Sequence, residues 1–167
     1  QNKQDDPNIL PKVTVNDIGK SKTYPKFHTL SDEGVKKYFY KAGTNGIDYF
    51  QAIYPILKPK PNDLKYSTLF SDIICEVGIK NRSYEQIQKR QSQTVGQIGS
   101  NFILISNRVQ DTFKIGLKMS GYSLQSNLNE MTDLMDETLT GFRLDENERI
   151  NDISKMHLSG LERSIIN

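Results

Sequence analysis

Histidine, cysteine and clustered carboxylates are the residue types in this sequence that could perform catalysis or hold a metal ion. The 167-residue chain has two histidines, His28 and His157, which lie far apart in the sequence, and one cysteine, Cys75. A catalytic zinc site usually takes three protein ligands from His, Glu, Asp and Cys. The sequence therefore predicts no catalytic residue, no metal-ligating residue and no cofactor in this chain, and it singles out no substrate-binding residue.

Each of these three side chains has an ordinary structural interpretation. No nucleophile and carboxylate surround His28, which favours a partly exposed residue of a connecting segment. His157 falls on the apolar face of a predicted helix, where a packed histidine with one hydrogen bond is expected. Cys75 follows Ile73 and Ile74, a position typical of a small buried hydrophobe rather than a nucleophile.

Three further motifs resemble ligand sites only superficially. The carboxylates Asp133, Asp136 and Glu137 lie beside the apolar stripe of a predicted helix, which indicates a solvated helix face. The segment 96–99 has two glycines but no lysine, so it lacks a part of a phosphate-binding loop. The tripeptide Gly-Lys-Ser at 19–21 lacks the upstream glycine and the preceding strand of such a loop.

Charge and hydropathy argue against nucleic-acid binding and against a membrane span. The chain has 22 Lys+Arg against 20 Asp+Glu, a net charge of +2, with no dense basic stretch, so a nucleic-acid partner is not expected. The aromatic and lysine residues of 36–41 could stack on bases, but half-buried aromatics of a β-hairpin are the interpretation that we favour. No apolar run approaches the ~18–20 residues of a membrane span.

The elements that would position these residues begin after a connector. Residues 1–34 are punctuated by Pro7, Pro11 and Pro25, which disfavour helix, and we interpret them as an extended linker. Residues 35–167 then form one domain. Its first two strands, 35–41 and 47–54, flank Asn-Gly at 45–46, the strongest short signal for a hairpin.

Helices and strands alternate in pairs along the rest of the chain. Ser83 and Gln86 predict a capping box for the second helix, and Asp145 is the predicted cap of the last. The predicted order, β-β-α-α-β-β-α-α, indicates an α+β fold with an antiparallel sheet covered by helices. The remaining predicted elements are helices over about 61–78, 83–91, 123–142 and from 145 onward, and strands over 102–105 and 112–119.

The two ends of the sequence suggest a piece of a longer protein. The first residue is Gln1 rather than methionine, and the apolar pattern of the last helix continues to the end at Asn167. We therefore expect the isolated chain to expose apolar surface and to self-associate or depend on a partner.

Six segments, taken in order, resemble a known enzyme family. The second, third and fifth read Thr-Asn-Gly-Ile-Asp-Tyr-Phe, Leu-Phe-Ser-Asp-Ile-Ile-Cys-Glu-Val-Gly and Thr-Val-Gly-Gln-Ile. Over residues 9–167 the chain resembles the start of the carboxy-terminal half of presequence-peptidase and falcilysin-type enzymes, within the pitrilysin/insulinase superfamily of zinc peptidases. It has Thr94-Val95-Gly96 where that family commonly has Thr-Gly-Gly. The six segments are 10–18, 44–50, 69–78, 84–85, 94–98 and 142–150.

The resemblance implies a division of labour between two halves of a longer enzyme. In this family the zinc ion lies in the amino-terminal half on a His-x-x-Glu-His motif, which is absent from this chain. The chain would be the third of four α+β domains, would form part of a chamber wall around unfolded peptides, and would have the amino-terminal half and the fourth domain as partners. Family members occur in mitochondria, plastids, parasite vacuoles and bacteria, so no compartment is implied.

Two alternatives to a peptidase domain stay open on the sequence. The chain could belong to a non-catalytic scaffold subunit of the same superfamily, which binds partners without cleaving. It could also be a peptide-binding module that acts through an exposed strand edge. A His-x-x-Glu-His motif upstream in the same reading frame would separate the peptidase from the scaffold.

Overall fold

The computed structural model describes residues 13–19, 21, 25–107 and 112–166, and it has an α+β fold with antiparallel sheets. The chain forms two compact units, Gln1–Gly43 and Thr44–Asn167. None of the helices in the described ranges is both long and apolar enough to cross a lipid bilayer.

The first unit contains a two-stranded hairpin. Strand β1 (Phe27–Asp32) pairs antiparallel with β2 (Val35–Tyr40). Glu33 and Gly34 connect them with φ angles of 47° and 81°, and positive φ at both central residues is the geometry of the type I′ hairpin turn. All twelve positions of the hairpin strands are exposed, so the aromatics at 38–40 are less buried than we predicted.

This hairpin corrects the strand pairing that the sequence suggested. Asn45 and Gly46 do form a turn, with φ angles of 54° and 81°. However, the strand that follows, β3 (Ile47–Ile56), pairs with a distant strand of the second unit and not with Val35–Tyr40. The prediction that 35–41 and 47–54 pair as a hairpin is therefore wrong. Strand β3 pairs along its whole length with a strand that is distant in the sequence, and this long pairing outweighs the local one. The domain boundary at residue 34 stays a prediction.

The second unit is built on a three-stranded antiparallel sheet. Its order is β3–β5–β4, with β4 spanning Gln97–Asn107 and β5 spanning Thr112–Leu124. The register pairs Tyr49 with Tyr122 on one side of β5 and Gln97 with Tyr122 on the other. Because β5 pairs on both sides, it is the central strand, and among the described strands β3 and β4 each have one unpaired edge.

Five α-helices of the described residues belong to this unit. Ser83 and Gln86 form the predicted capping box at the start of the third helix, where the Ser83 N–H donates to Gln86 Oε1 over 3.0 Å. The predicted helix over 61–78 is instead two shorter helices, and the one over 123–142 starts later because Ser123 and Leu124 belong to β5. The helices are α1 (Pro61–Lys65), α2 (Ser67–Ile74), α3 (Tyr84–Thr94), α4 (Leu128–Gly141) and α5 (Asn147–Ile166).

The helices pack on one face of the sheet. Met119 on β5 and Met131 and Leu134 on α4 are completely buried. Gly121 lets α4 approach this face, since a Cβ there would lie 3.1 Å from Met131 Sδ and 2.8 Å from the Gln97 carbonyl oxygen. The hydrophobic core thus packs against one face of the sheet only. Its other buried members are Ile74, Cys75, Ile79, Ile87, Ile98 and Met135.

A largely buried carboxylate fastens the start of α5 to the loop after α2. Glu146, whose side chain is 12% exposed, accepts hydrogen bonds from the backbone N–H of Gly78 (2.6 Å) and of Tyr84 (3.1 Å). The predicted cap, Asp145, instead pairs with the Arg143 guanidinium at 2.9 Å, which lowers the Asp145 pKa through that hydrogen bond. The Asp145 side chain therefore binds Arg143 rather than capping α5, and the cap prediction was wrong.

Candidate functional site

The structure places the two histidines in ordinary structural roles. His28 is exposed on β1 opposite Phe39, so it belongs to a strand rather than to an extended connector. His157 on α5 makes the single hydrogen bond that we predicted, with its Nδ1 2.6 Å from Asp72 Oδ2 on α2. This contact ties two helices together, which is a structural role.

Cys75 is a buried hydrophobe, as predicted, at 7% exposure in the core. Burial raises its thiol pKa to about 11, and the nearby Glu76 carboxylate also raises it, while a hydrogen bond with Ser100 acts in the opposite direction. The reactive form of a cysteine is the thiolate. The thiol therefore stays protonated, and hence weakly nucleophilic, at neutral pH.

We expect the native chain to resist alkylation by iodoacetamide at pH 8, where a thiol of pKa about 11 is almost wholly protonated. In urea the thiol returns to an ordinary pKa of ~8.5, and modification should become rapid. Mass spectrometry of the alkylated chain measures both rates. Fast labelling of the folded chain would contradict the buried, protonated thiol.

The acidic set on α4 does not form a metal centre. Asp133 and Asp136 are exposed, as a solvated helix face requires. Glu137 instead accepts hydrogen bonds from Arg90 at 2.7 Å and from Arg82 at 3.4 Å. Across the ranges that the structure describes, no three His, Cys, Asp or Glu side chains come together as a metal site would need.

The two glycine motifs form no phosphate loop in the described residues. Gly96 lies between the end of α3 and β4, and Gly99 lies inside β4, so the order is helix then strand rather than strand, loop and helix. In the motif at 19–21, Lys20 lies outside the described residues, and no helix follows Ser21 before β1 in that range. The described residues of neither motif therefore have the strand, loop and helix order of a phosphate-binding loop.

The sheet face opposite the helices is the strongest candidate for contact with a ligand. Opposed residues of antiparallel strands point to the same face and successive residues alternate. Because Met119 points into the helix-covered core, Lys118 and Ser120 point away from it. This surface, which we call the open face, includes Tyr49, Gln51, Ile53, Gln97, Gly99, Asn101, Ile103, Ile105, Lys114, Lys118, Ser120 and Tyr122.

Tyr122 lies between two shallow hollows at one end of the open face and lines both of them. One hollow, of about 170 Å³, is lined by Tyr49, Gln51 and Gln97 among others. The second, of about 230 Å³, lies at the junction of α3, β4 and the end of β5. The Tyr122 ring lies directly over Gly96, where any Cβ would collide with the ring. The hydroxyl groups of Tyr49 and Tyr122 and the amide groups of Gln51 and Gln97 belong to residues that line the first hollow.

The charged residues of the open face on the described strands are all positive. They are Lys114 and Lys118, both on β5, and the face has no carboxylate there. The sequence analysis did not single out this face. The alternation of 112–119 was visible, but only the pairing of three strands shows which polar residues share a surface.

Comparison with known proteins gives one consistent result. Residues 1–167 match the family described as associated with peptidases of the M16 family, subfamily C. The chain is 31% identical over 137 residues to a mitochondrial presequence protease of Emericella nidulans, covering 81% of this chain and 13% of that protein. For the mitochondrial presequence protease of Danio rerio the identity is 29% over 167 residues, covering 99% and 16%.

A third relative has the same name and a similar coverage. The mitochondrial presequence protease of Drosophila melanogaster is 24% identical over 160 residues, covering 95% of this chain and 16% of that protein. The chain therefore spans only a small part of the curated relatives that it matches. Because the family match extends over its whole length, and the resemblance seen in the sequence is confirmed, this chain belongs to the family of domains associated with subfamily C of the M16 peptidases.

Proposed function

We propose that this chain is a non-catalytic, chamber-forming domain of a zinc metalloendopeptidase that degrades short unstructured peptides such as presequences. One observation carries the proposal. The peptidase-associated family matches all of residues 1–167, yet the sequence contains no His-x-x-Glu-His motif. A peptidase-family chain without the zinc motif is best explained as a part that shapes the substrate enclosure.

Within the described ranges, the candidate zinc ligands do not fit a zinc site. His157 already has its Nδ1 against Asp72, His28 is on an exposed strand, and Cys75 is protonated by burial. Zinc needs deprotonated ligands that converge. In the proposed enzyme the metal therefore belongs to the amino-terminal half, where it would activate the attacking water.

The contribution of this chain follows from its open face. Tyr49, Tyr122, Gln51 and Gln97 can donate and accept hydrogen bonds, which suits the backbone of an unfolded peptide. The helices cover the opposite face, so the sheet can serve as a rigid wall. A closed chamber built with such a wall admits extended peptides and excludes folded proteins by size.

Exposed apolar side chains indicate where the proposed partner domains pack. Leu104 and Phe113 at the far end of the sheet are 66% and 67% exposed. On α5, Leu158, Leu161 and Ile165 follow one another at helical spacing and are also exposed. Large exposed apolar groups in one protein mark interaction surfaces. We assign them to contact with the amino-terminal half and the fourth domain.

We expect the isolated chain to cleave no peptide, and cleavage to require the amino-terminal half that holds zinc. The measurement is hydrolysis of an unstructured fluorogenic peptide by the longer protein, by its amino-terminal half alone, and by that half mixed with this chain. Addition of this chain should raise the rate, and a chelator should abolish it. The variant His28→Gln serves as a control and should leave the rate unchanged, because His28 is exposed on β1.

Two results would overturn the proposal. Zinc-dependent hydrolysis by this chain alone would place the chemistry here. A longer reading frame without His-x-x-Glu-His would favour the scaffold subunit, which binds partners and cleaves nothing.

A further inference from the structure

Lys118 lies in the middle of the open face, close to a position that has no side chain. On the central strand β5 it is opposite Asn101 of β4, and the next open-face residue, Ser120, is opposite Gly99. Opposed positions are about 5 Å apart and alternate positions of one strand about 7 Å apart, so these residues form a small rectangle. A Cβ at Gly99 would meet no atom of the described residues within 4 Å, apart from its chain neighbours. The corner at Gly99 is therefore an open gap, bordered by an ammonium, an amide and a hydroxyl group.

The Lys118 ammonium has no counter-charge within the part of the chain that the structure describes. Lys118 is half-buried, and none of the ion pairs among the described residues includes it. A charge that loses water without gaining a partner is unfavourable, so an anion bound here would be stabilised. The Asn101 amide can assist, because its Nδ2 donates over a long 3.4 Å to the Phe102 carbonyl oxygen, a weak bond that a ligand can replace.

The open face changes in polarity at Lys118. Toward the start of β4 its side chains are hydrogen-bonding groups, and toward the end of β4 they are mainly apolar. A peptide backbone that is hydrogen-bonded along the polar part would meet the ammonium where that part ends. The polar part includes Gln51, Gln97, Ser120 and Tyr122, and the apolar part includes Ile53, Ile103 and Ile105.

We propose that Lys118, Asn101 and Ser120 bind the carboxyl-terminal carboxylate of a peptide in the gap at Gly99. The ammonium donates to one carboxylate oxygen, and the amide and hydroxyl groups donate to the other. Hydrogen bonds to an ionised group are roughly twice as strong as those between neutral groups. Capture of a terminal carboxylate is a recurrent mode of peptide recognition. The site thus sets the position at which a peptide ends on the open face.

This inference rests on the proposed function, which supplies a presequence-like peptide as the ligand. Organelle targeting peptides are rich in arginine and serine and poor in acidic residues. Their side chains therefore offer Lys118 few carboxylates, whereas an unmodified peptide always has one at its carboxyl end. Charge complementarity thus points to the terminal carboxylate as the occupant.

Peptides that differ only in the position of the carboxylate test the occupant. The probe is a short acetylated peptide of serine, alanine and leucine with a free carboxyl end, and its matched control has a carboxamide there. A further control has the carboxamide and a glutamate in the middle of the peptide. Each is titrated into the full chain and followed by the amide shifts in ¹H–¹⁵N NMR spectra. The free carboxylate should bind about fivefold or more tightly than either control, with shifts centred on Asn101, Lys118 and Ser120.

Matched variants test the residues of the site. Lys118→Gln removes the ammonium, and Lys114→Gln makes the same change on the same strand and face, ~14 Å away. Gly99→Val fills the open corner, where a Cβ has space and a β-branched residue suits a strand. Lys118→Gln and Gly99→Val should each weaken binding of the free-carboxylate peptide about fivefold or more, and Lys114→Gln less than about twofold. In Lys118→Gln the preference for carboxylate over carboxamide should disappear.

Several outcomes would overturn the inference: no binding of any peptide, equal binding of carboxylate and carboxamide, tightest binding of the glutamate peptide, or a loss in Lys118→Gln no larger than that in Lys114→Gln. Shifts at Lys118 that grow with protein concentration in the absence of peptide would identify a second copy as the occupant instead. The peptide comparison leaves the protein unchanged, so it decides the question even where a variant folds poorly.

These outcomes are separate from those of the cleavage assay. Reconstituted cleavage together with equal binding of carboxylate and carboxamide overturns the carboxylate inference alone. A clear carboxylate preference, in a protein whose longer reading frame has no His-x-x-Glu-His motif, overturns the proposed function alone.

Discussion

Replacing Glu146 with alanine is expected to lower the free energy of unfolding by about 2–4 kcal/mol. Its carboxylate accepts the backbone N–H groups of Gly78 and Tyr84 at 2.6 and 3.1 Å. Gly78 is buried. A buried donor without a partner costs about 1–3 kcal/mol, and an ordinary hydrogen bond contributes about 0.5–1.5 kcal/mol. The first figure applies to Gly78 and the second to Tyr84, which is half-buried, so their sum gives the stated range.

Glu146→Gln separates hydrogen bonding from packing. The glutamine amide keeps one acceptor oxygen but turns an N–H₂ group toward the second backbone donor. We therefore expect a loss smaller than that of the alanine variant but clearly above zero. Asp145→Ala, the matched control in the same turn, removes an exposed ion pair with Arg143, and exposed pairs contribute little.

Urea denaturation followed by circular dichroism gives these free energies. The hydrogen-exchange rate of the Gly78 and Tyr84 amides provides a local readout. Equal stability of Glu146→Ala and Asp145→Ala would contradict the role of Glu146 in holding the start of α5 against the loop after α2.

Local patterns in the sequence predicted some elements well. The capping box at Ser83 and Gln86 set the start of α3, and the period-two alternation of 112–119 lies inside β5. Both signals act between residues a few positions apart. The packed roles of Cys75 and His157 followed in the same way, since each lay in an apolar helical stripe that packs against a neighbouring element.

Other features depend on contacts between distant parts of the chain. Glu146 binds Gly78 across 68 positions, and no local pattern marks that pair. Asn45-Gly46 does form a turn, yet β3 pairs with β5 because a long antiparallel ladder outweighs a local hairpin. Strand β1 was missed because Thr29 and Ser31 are polar and Pro25 precedes it.

The candidate site could not be predicted from the sequence either, because it also depends on contacts between distant parts of the chain. Tyr49, Gln97 and Tyr122 lie on three separate strands, and only their register brings them to one surface. The recognition of the family, by contrast, needed only the order of short segments. Family membership could thus be predicted from the sequence, whereas the open face could not.

Leu134→Ala should lower the free energy of unfolding by about 2–5 kcal/mol, the range for a leucine deleted from a close-packed core. Leu134 is fully buried on α4. It packs in the cluster that joins α4 to Met119 on β5. The deletion leaves a cavity that the neighbouring side chains fill only partly.

Leu158→Ala is the control, because it makes the same substitution in a helix at a side chain that is 56% exposed. It should change stability by less than about 0.5 kcal/mol. Urea unfolding of both variants measures the difference, and a loss below about 1 kcal/mol for Leu134→Ala would contradict its place in the core. Amide hydrogen exchange in β5 should also become faster in Leu134→Ala, because Leu134 packs in the same cluster as Met119 of that strand.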